Sequence, residues 1–185
     1  FMSVELRPKL LDLLRDMLPQ AKRLGLLANP ARPDFSARVE EVREPARLRG
    51  LEVPVFEARN EGEIVAAFAR MSEQSVDAAL VLSDPVYQNR REVIAAQALA
   101  RRIPTIGGSR DQAIAGNIAS YGADILDTYR QAGVYAARIL KGEKPSDLPV
   151  VQPTRFQLVI NLKTAKLLGI DPPPTMLTLA DEVIE

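Results

Sequence analysis

Short apolar runs recur along this chain. Each is followed by a polar or glycine-bearing turn and then by a segment of helical periodicity. Residues 24–28, 53–56, 77–82 and 103–106 are the runs. The first is uninterrupted rather than alternating, which fits a strand buried on both faces, as in a parallel sheet, and 77–82 is the clearest buried strand. The intervening segments carry helix signals. Leu10, Leu11, Leu14, Met17 and Leu18 share one helical face over 8–18, with Pro8 suited to the first turn and Pro19 stopping it. A helix over 34–49 starts at Asp34 and stops at Gly50, and Pro45 predicts a kink or an early end. Asn60-Glu61-Gly62-Glu63 reads as a capping box for a helix with Ile64, Val65, Phe68 and Met71 inward. Asp84-Pro85 opens another helix, with Val93, Ile94 and Leu99 on its apolar side, and Ser109 with Gln112 caps a short one.

From Gly116 the pattern loosens. Residues 118–121 read as a strand, and Asp124 caps a long helix ending at Gly142. A proline-rich connector covers 144–153, and a strand follows over 156–160. Asn161 caps a last helix stopped by Gly169, and Pro172-Pro173-Pro174 predicts an end to regular structure. Strands separated by crossover helices pair parallel, so the fold class is α/β: a Rossmann-like parallel sheet flanked by helices. Such sheets bind ligands at the carboxyl ends of their strands, near the switch in strand order.

The residue inventory narrows the chemistry. The 185 residues contain neither cysteine nor histidine, which removes Cys/His zinc sites, cysteine nucleophiles and Ser-His-Asp triads. No carboxylate pair stands out as acid and base, so no catalytic residue and no metal site are assigned. Gly107-Gly108 matches neither G-x-G-x-x-G nor a P-loop, so no cofactor is expected. Lys plus Arg equals Asp plus Glu at 24 each, which gives no basic footprint for nucleic acid. No run of 18 apolar residues spans a membrane and no signal peptide is visible. Phe1 precedes Met2, so the chain reads as part of a longer or processed protein.

Four strand ends carry the candidate ligand contacts: Asn29-Pro30, Ser83-Asp84, Gly108-Ser109 and Tyr121-Gly122. On a parallel sheet they meet at one edge, where helix N-termini offer free N–H groups. Asp84 or Asp124 could face an ammonium group there, and Tyr121 could wall a ring. Each also has a plainer reading. Asp, Ser and Asn are ordinary helix caps, Gly107-Gly108 can be a tight turn, and Tyr121 (or, more weakly, Tyr87) can pack in the interior. Arg90-Arg91 and Arg101-Arg102 read as solvated helix surface.

Several segments resemble a known family. They are 21–30 (Ala-Lys-Arg-Leu-Gly-Leu-Leu-Ala-Asn-Pro), 77–85 (Asp-Ala-Ala-Leu-Val-Leu-Ser-Asp-Pro), 118–122 (Ile-Ala-Ser-Tyr-Gly) and the ordered tail 139–150 and 156–169. Together they resemble the ABC-transporter substrate-binding proteins, a type I-like periplasmic binding family that includes tryptophan and other aromatic amino-acid binders. The resemblance covers nearly the whole chain. It implies an exported, periplasmic or extracytoplasmic solute receptor with two Rossmann-like lobes around a cleft. Such a receptor takes a small organic ligand and docks, when closed, on a membrane permease. It implies that Asn29, Ser83-Asp84, Gly108-Ser109 and Tyr121-Gly122 lie at the cleft, and that the first lobe precedes Phe1. Residues 1–116 would then form the second lobe, 117–150 would return to the first, and 151–185 would add a final strand and helix to the second. The helix opened by Asp124 has an apolar face of Ile125, Tyr129, Ala132, Ala136 and Ile139, which calls for a cover, most simply a homodimer of this chain. Two rival readings are a ligand-sensing domain of a signalling or regulatory protein with the same fold and an enzyme on a flavodoxin-like sheet.

Overall fold

The computed structural model describes residues 6–185. The first strand, β1 (Leu24–Ala28), is buried along its whole length. Its side chains alternate between the two faces of the sheet, with Leu24, Leu26 and Ala28 in one core cluster and Leu27 in the other. The remaining strands are β2 (Val55–Glu57), β3 (Ala78–Val81), β4 (Thr105–Gly107), β5 (Ala119–Ala123), β6 (Phe156–Asn161) and β7 (Glu182–Ile184). They form one sheet in the order β2-β1-β3-β4-β5-β6-β7. The chain leaves β1 in one direction for β2 and returns on the other side with β3. The switch in strand order therefore falls between β1 and β3.

Helices cover both faces. One core gathers α1 (Leu6–Met17) and α2 (Phe35–Leu48) on Leu26, Leu80, Ile106 and Ile160. The other gathers α3 (Glu61–Glu73), α4 (Pro85–Asn89) and α5 (Arg91–Ala100) on Leu27, Ala79 and Val81. Short helices α6 (Arg110–Ala115), α8 (Leu162–Leu168) and α9 (Pro174–Leu179) complete the layers. Pro45 does not end α2, which runs on to Leu48. It lies within a turn of the helix end, so the missing N–H costs the helix only one internal hydrogen bond.

Two expectations about topology are corrected. Strands β1 to β5 are parallel, but β6 pairs antiparallel to β5, from Ala119↔Ile160 to Ala123↔Phe156. The cause is the segment 124–155, which does not cross back over the sheet. It leaves at the carboxyl end of β5 and returns to the same edge, where the N–H of Asp124 donates to the carbonyl of Arg155 at 3.0 Å. Its helix α7 (Ile125–Leu140) has no buried residue. Strand β5 is itself hydrogen-bonded to β4, and the chain leaves the sheet after Ala123. The tail also holds more structure than its prolines suggest. Pro174 occupies the first position of α9, where no N–H is needed, and β7 follows against β6.

Candidate ligand-binding site

Three strand ends close up at the carboxyl edge. A Cβ on Gly108 would lie 2.9 Å from the hydroxyl of Ser83, and one on Gly122 would overlap the carbonyl oxygen of Gly108. Above this row lies a cavity of about 110 Å³ lined by Leu82, Ser83, Gly108 and Tyr121 from the strand ends and by Arg7, Leu10 and Arg38 from α1 and α2. Tyr121 is half-buried, and its ring stacks on Phe156 with centroids 6.0 Å apart and planes 28° apart. It therefore presents a fixed aromatic wall. A second hollow of about 10 Å³ sits at the strand-order switch, lined by Asn29, Arg32, Arg38, Ser83 and Asp84 among others.

Polar groups in this second hollow bind each other. The carboxylate of Asp84 is 3% exposed; it caps α4 by accepting from the N–H of Val86 at 2.8 Å and lies 3.3 Å from the Asn29 amide and 3.9 Å from Arg32. Asn29 in turn accepts from the N–H of Ala31 at 3.0 Å. Asp84 thus organises the loop ends and does not line the larger cavity. Arg32 and Asp34 form a bidentate pair at 2.8 and 3.3 Å, and the guanidinium holds the Asp34 carboxyl below its ordinary value. Ser109 caps α6 and donates to the Gln88 side chain at 3.0 Å. Pro30, Ser109 and Gly122 line neither hollow; Gly122 shapes the edge through its contact with Gly108. Tyr87 is fully buried, with its hydroxyl donating to the carbonyl of Ala58 at 2.7 Å, so it belongs to the core.

Sequence reasoning missed the two arginines. Arg38 donates from Nη2 to the carbonyl of Ser83 at 2.7 Å. Arg7 is 4% exposed and ion-paired with Glu41 of α2. Burial, and then the charge of Arg38, lowers the Arg7 guanidinium to about 10; burial and Arg32 lower that of Arg38. Both remain cations at neutral pH. The signal was available, because Arg7 falls on the buried stripe of its helix and Arg38 borders that of α2. Arg7 heads the series Leu10, Leu11, Leu14, and Arg38 lies one turn before Val42.

The sequence profile for "ABC transporter substrate binding protein" matches residues 4–184. The chain belongs to the ABC transporter substrate-binding protein family. This is a family of binding proteins and not an enzyme class. A tyrosine-binding protein of Clostridioides difficile is 24% identical over 162 residues, which is 88% of this chain and 47% of the relative. Among solved structures, an ABC domain of Streptococcus pneumonia in complex with L-Trp superposes with a TM-score of 0.86 at 28% identity, covering 96% of this chain and 62% of that one. A conserved domain protein of Vibrio cholerae gives 0.87 at 26% identity, covering 95% and 59%. The chain thus spans roughly half to three-fifths of the length of these relatives.

Proposed function

We propose that this chain is the second lobe and the inter-lobe segment of the solute receptor of an ABC transporter. In this reading the receptor works outside the cytoplasm, takes up an aromatic amino acid or a similar small organic ligand, and passes it to a membrane permease. The carrying observation is the cavity at the carboxyl edge. At about 110 Å³ it is well below the roughly 300 Å³ of a complete small-molecule pocket, which fits one half of a shared site. Residues 6–123 and 156–185 would form the lobe, and 124–155, with no buried residue in α7, would belong to the lobe opposite. A ligand bridging both lobes stabilises only the closed arrangement, which is how occupancy becomes a docking signal. Tyr121 would supply the flat wall, Ser83 and Gly108 the adjoining polar edge, and Asn29 with Asp84 the frame behind them. No covalent step is involved.

The test is calorimetry of the full-length protein with L-tryptophan and L-tyrosine, together with mass spectrometry of small molecules released on denaturation. Tyr121→Ala should weaken binding with only a small change in the melting temperature of the ligand-free protein. No binding of either amino acid and no released ligand would refute the reading.

A further inference from the structure

Arg7 occupies a position where the periodicity of α1 calls for apolar core, and Arg38, half-buried, borders the buried series of α2 one turn before Val42. Burying a guanidinium is costly unless something compensates its charge. Arg7 has compensation in the ion pair of its Nη1 with Glu41. Arg38 has less. Nη2 is pinned to the Ser83 carbonyl, and among the described residues Arg38 forms no salt bridge, and Nε and Nη1 make no hydrogen bond. The nearby carboxylates are engaged elsewhere: Asp34 with Arg32, Asp84 with the α4 N-terminus and Asn29, and Glu41 with Arg7. Arg38 and Arg7 both face the cavity beside Ser83, Gly108 and Tyr121. An anchored guanidinium with open nitrogens is suited to planar, two-point recognition of an oxyanion.

We infer that the ligand of this cleft presents a carboxylate to Arg38, with Arg7 as a positioning cation behind it. The inference rests on the reading of this edge as the ligand site. The cavity has room for a carboxylate head and not for a whole aromatic amino acid. The ring therefore lies outward, along Tyr121 and toward the opposite lobe. The charge balance agrees with this arrangement. The charge of Arg38 depresses the Arg7 guanidinium and that of Arg32 depresses Arg38, so the edge carries an excess of positive charge that an anion offsets.

Full-length protein is titrated by calorimetry with acids and their uncharged or amine counterparts: L-tryptophan, L-tryptophanamide and tryptamine, and indole-3-acetate with its amide. Acids should bind at least about tenfold more tightly than the amides, and indole-3-acetate should bind without an amine. Arg38→Gln should weaken the acids by roughly 10- to 100-fold, the range for a hydrogen bond to a charged group, with the ligand-free melting temperature held. Arg38→Lys should recover part of the loss. Amides binding within about threefold of acids would overturn the carboxylate assignment and leave the receptor reading standing, as would an Arg38→Gln protein of unchanged affinity. Failure of every compound to bind would overturn both. If Arg38→Gln does not fold, the acid and amide pairs on the unaltered protein still decide.

Discussion

The carbonyl oxygen of Gly108 occupies the space that a side chain at Gly122 would need. Gly122 is not at positive φ, so its requirement is room and not conformational freedom. Gly122→Ala must push β5 away from β4, because backbone cannot rotate aside. We expect a loss at or above the roughly 1–3 kcal/mol of ordinary overpacking, or several degrees of melting temperature at about 2–4 °C per kcal/mol. Gly108→Ala meets only the Ser83 hydroxyl, at 2.9 Å, which can turn away, so its loss should be under about 1 kcal/mol. Thermal denaturation of the two variants checks the order; equal melting temperatures would refute this packing.

Asp84→Ala should act on stability before it acts on affinity. Its carboxylate caps α4 and holds Asn29 and Arg32 in place. Cap removal alone costs about 0.5–2 kcal/mol. Asp84→Asn retains an acceptor for the Val86 N–H and should cost less. Denaturant titration measures the loss; an Asp84→Ala protein of unchanged stability but much weaker ligand binding would instead put the carboxylate on the ligand.

Tyr87 makes the fold sensitive to alkali. Burial first, then the charges of Asp84 and Glu63, raise its phenol well above the ordinary value. The folded state therefore keeps a proton that the unfolded chain gives up. The contribution is intact below the unfolded value of about 10 and is lost as pH rises beyond it. Tyr87→Phe leaves the Ala58 carbonyl unpaired, at about 1–3 kcal/mol near neutral pH, but removes this alkaline loss. Denaturation curves at pH 8 and above pH 10 should show the gap between the two proteins narrowing; a constant gap would refute the account.

Local signals in the sequence were the dependable ones. Asn60, Asp84, Ser109, Asp124 and Asn161 all cap helices with their side chains, and β1 spans the residues that its apolar run marks. Each depends on neighbours within a few positions. The direction of β6 depends on where the 32 residues 124–155 travel, which no local pattern encodes. Strand β7 has three residues, and Arg110 grips its Glu182 from 72 positions away at 2.6 and 2.7 Å. The loop-end residues lie at the carboxyl edge of the sheet, as fold logic expects, and Ser109 and Asp84 are engaged there chiefly as caps. Arg7 and Arg38 stayed hidden because a charged residue inside or beside an apolar stripe reads as noise until two stripes converge on one cavity.

Helix α7 supplies the last expectation. One side of it carries Ile125, Leu126, Tyr129, Ile139 and Leu140, with Leu126 and Tyr129 each 69% exposed and Leu140 87%. Tyr135 ties the connector to the helix by donating to the Pro149 carbonyl at 2.8 Å, but this covers only one side. Scattered apolar residues are normal on a surface; a contiguous stripe on one helix marks a contact face. In the 185-residue chain expressed alone we expect that face to be covered by a second copy, since two-fold contacts are the commonest closed solution. Sedimentation at micromolar concentration should exceed the monomer mass of 20.3 kDa. Leu126→Lys with Tyr129→Lys should return the chain to monomer without lowering its melting temperature, because neither side chain supports the sheet. A chain that sediments as a monomer with both residues intact would show that the stripe tolerates water, and would end the expectation of self-association.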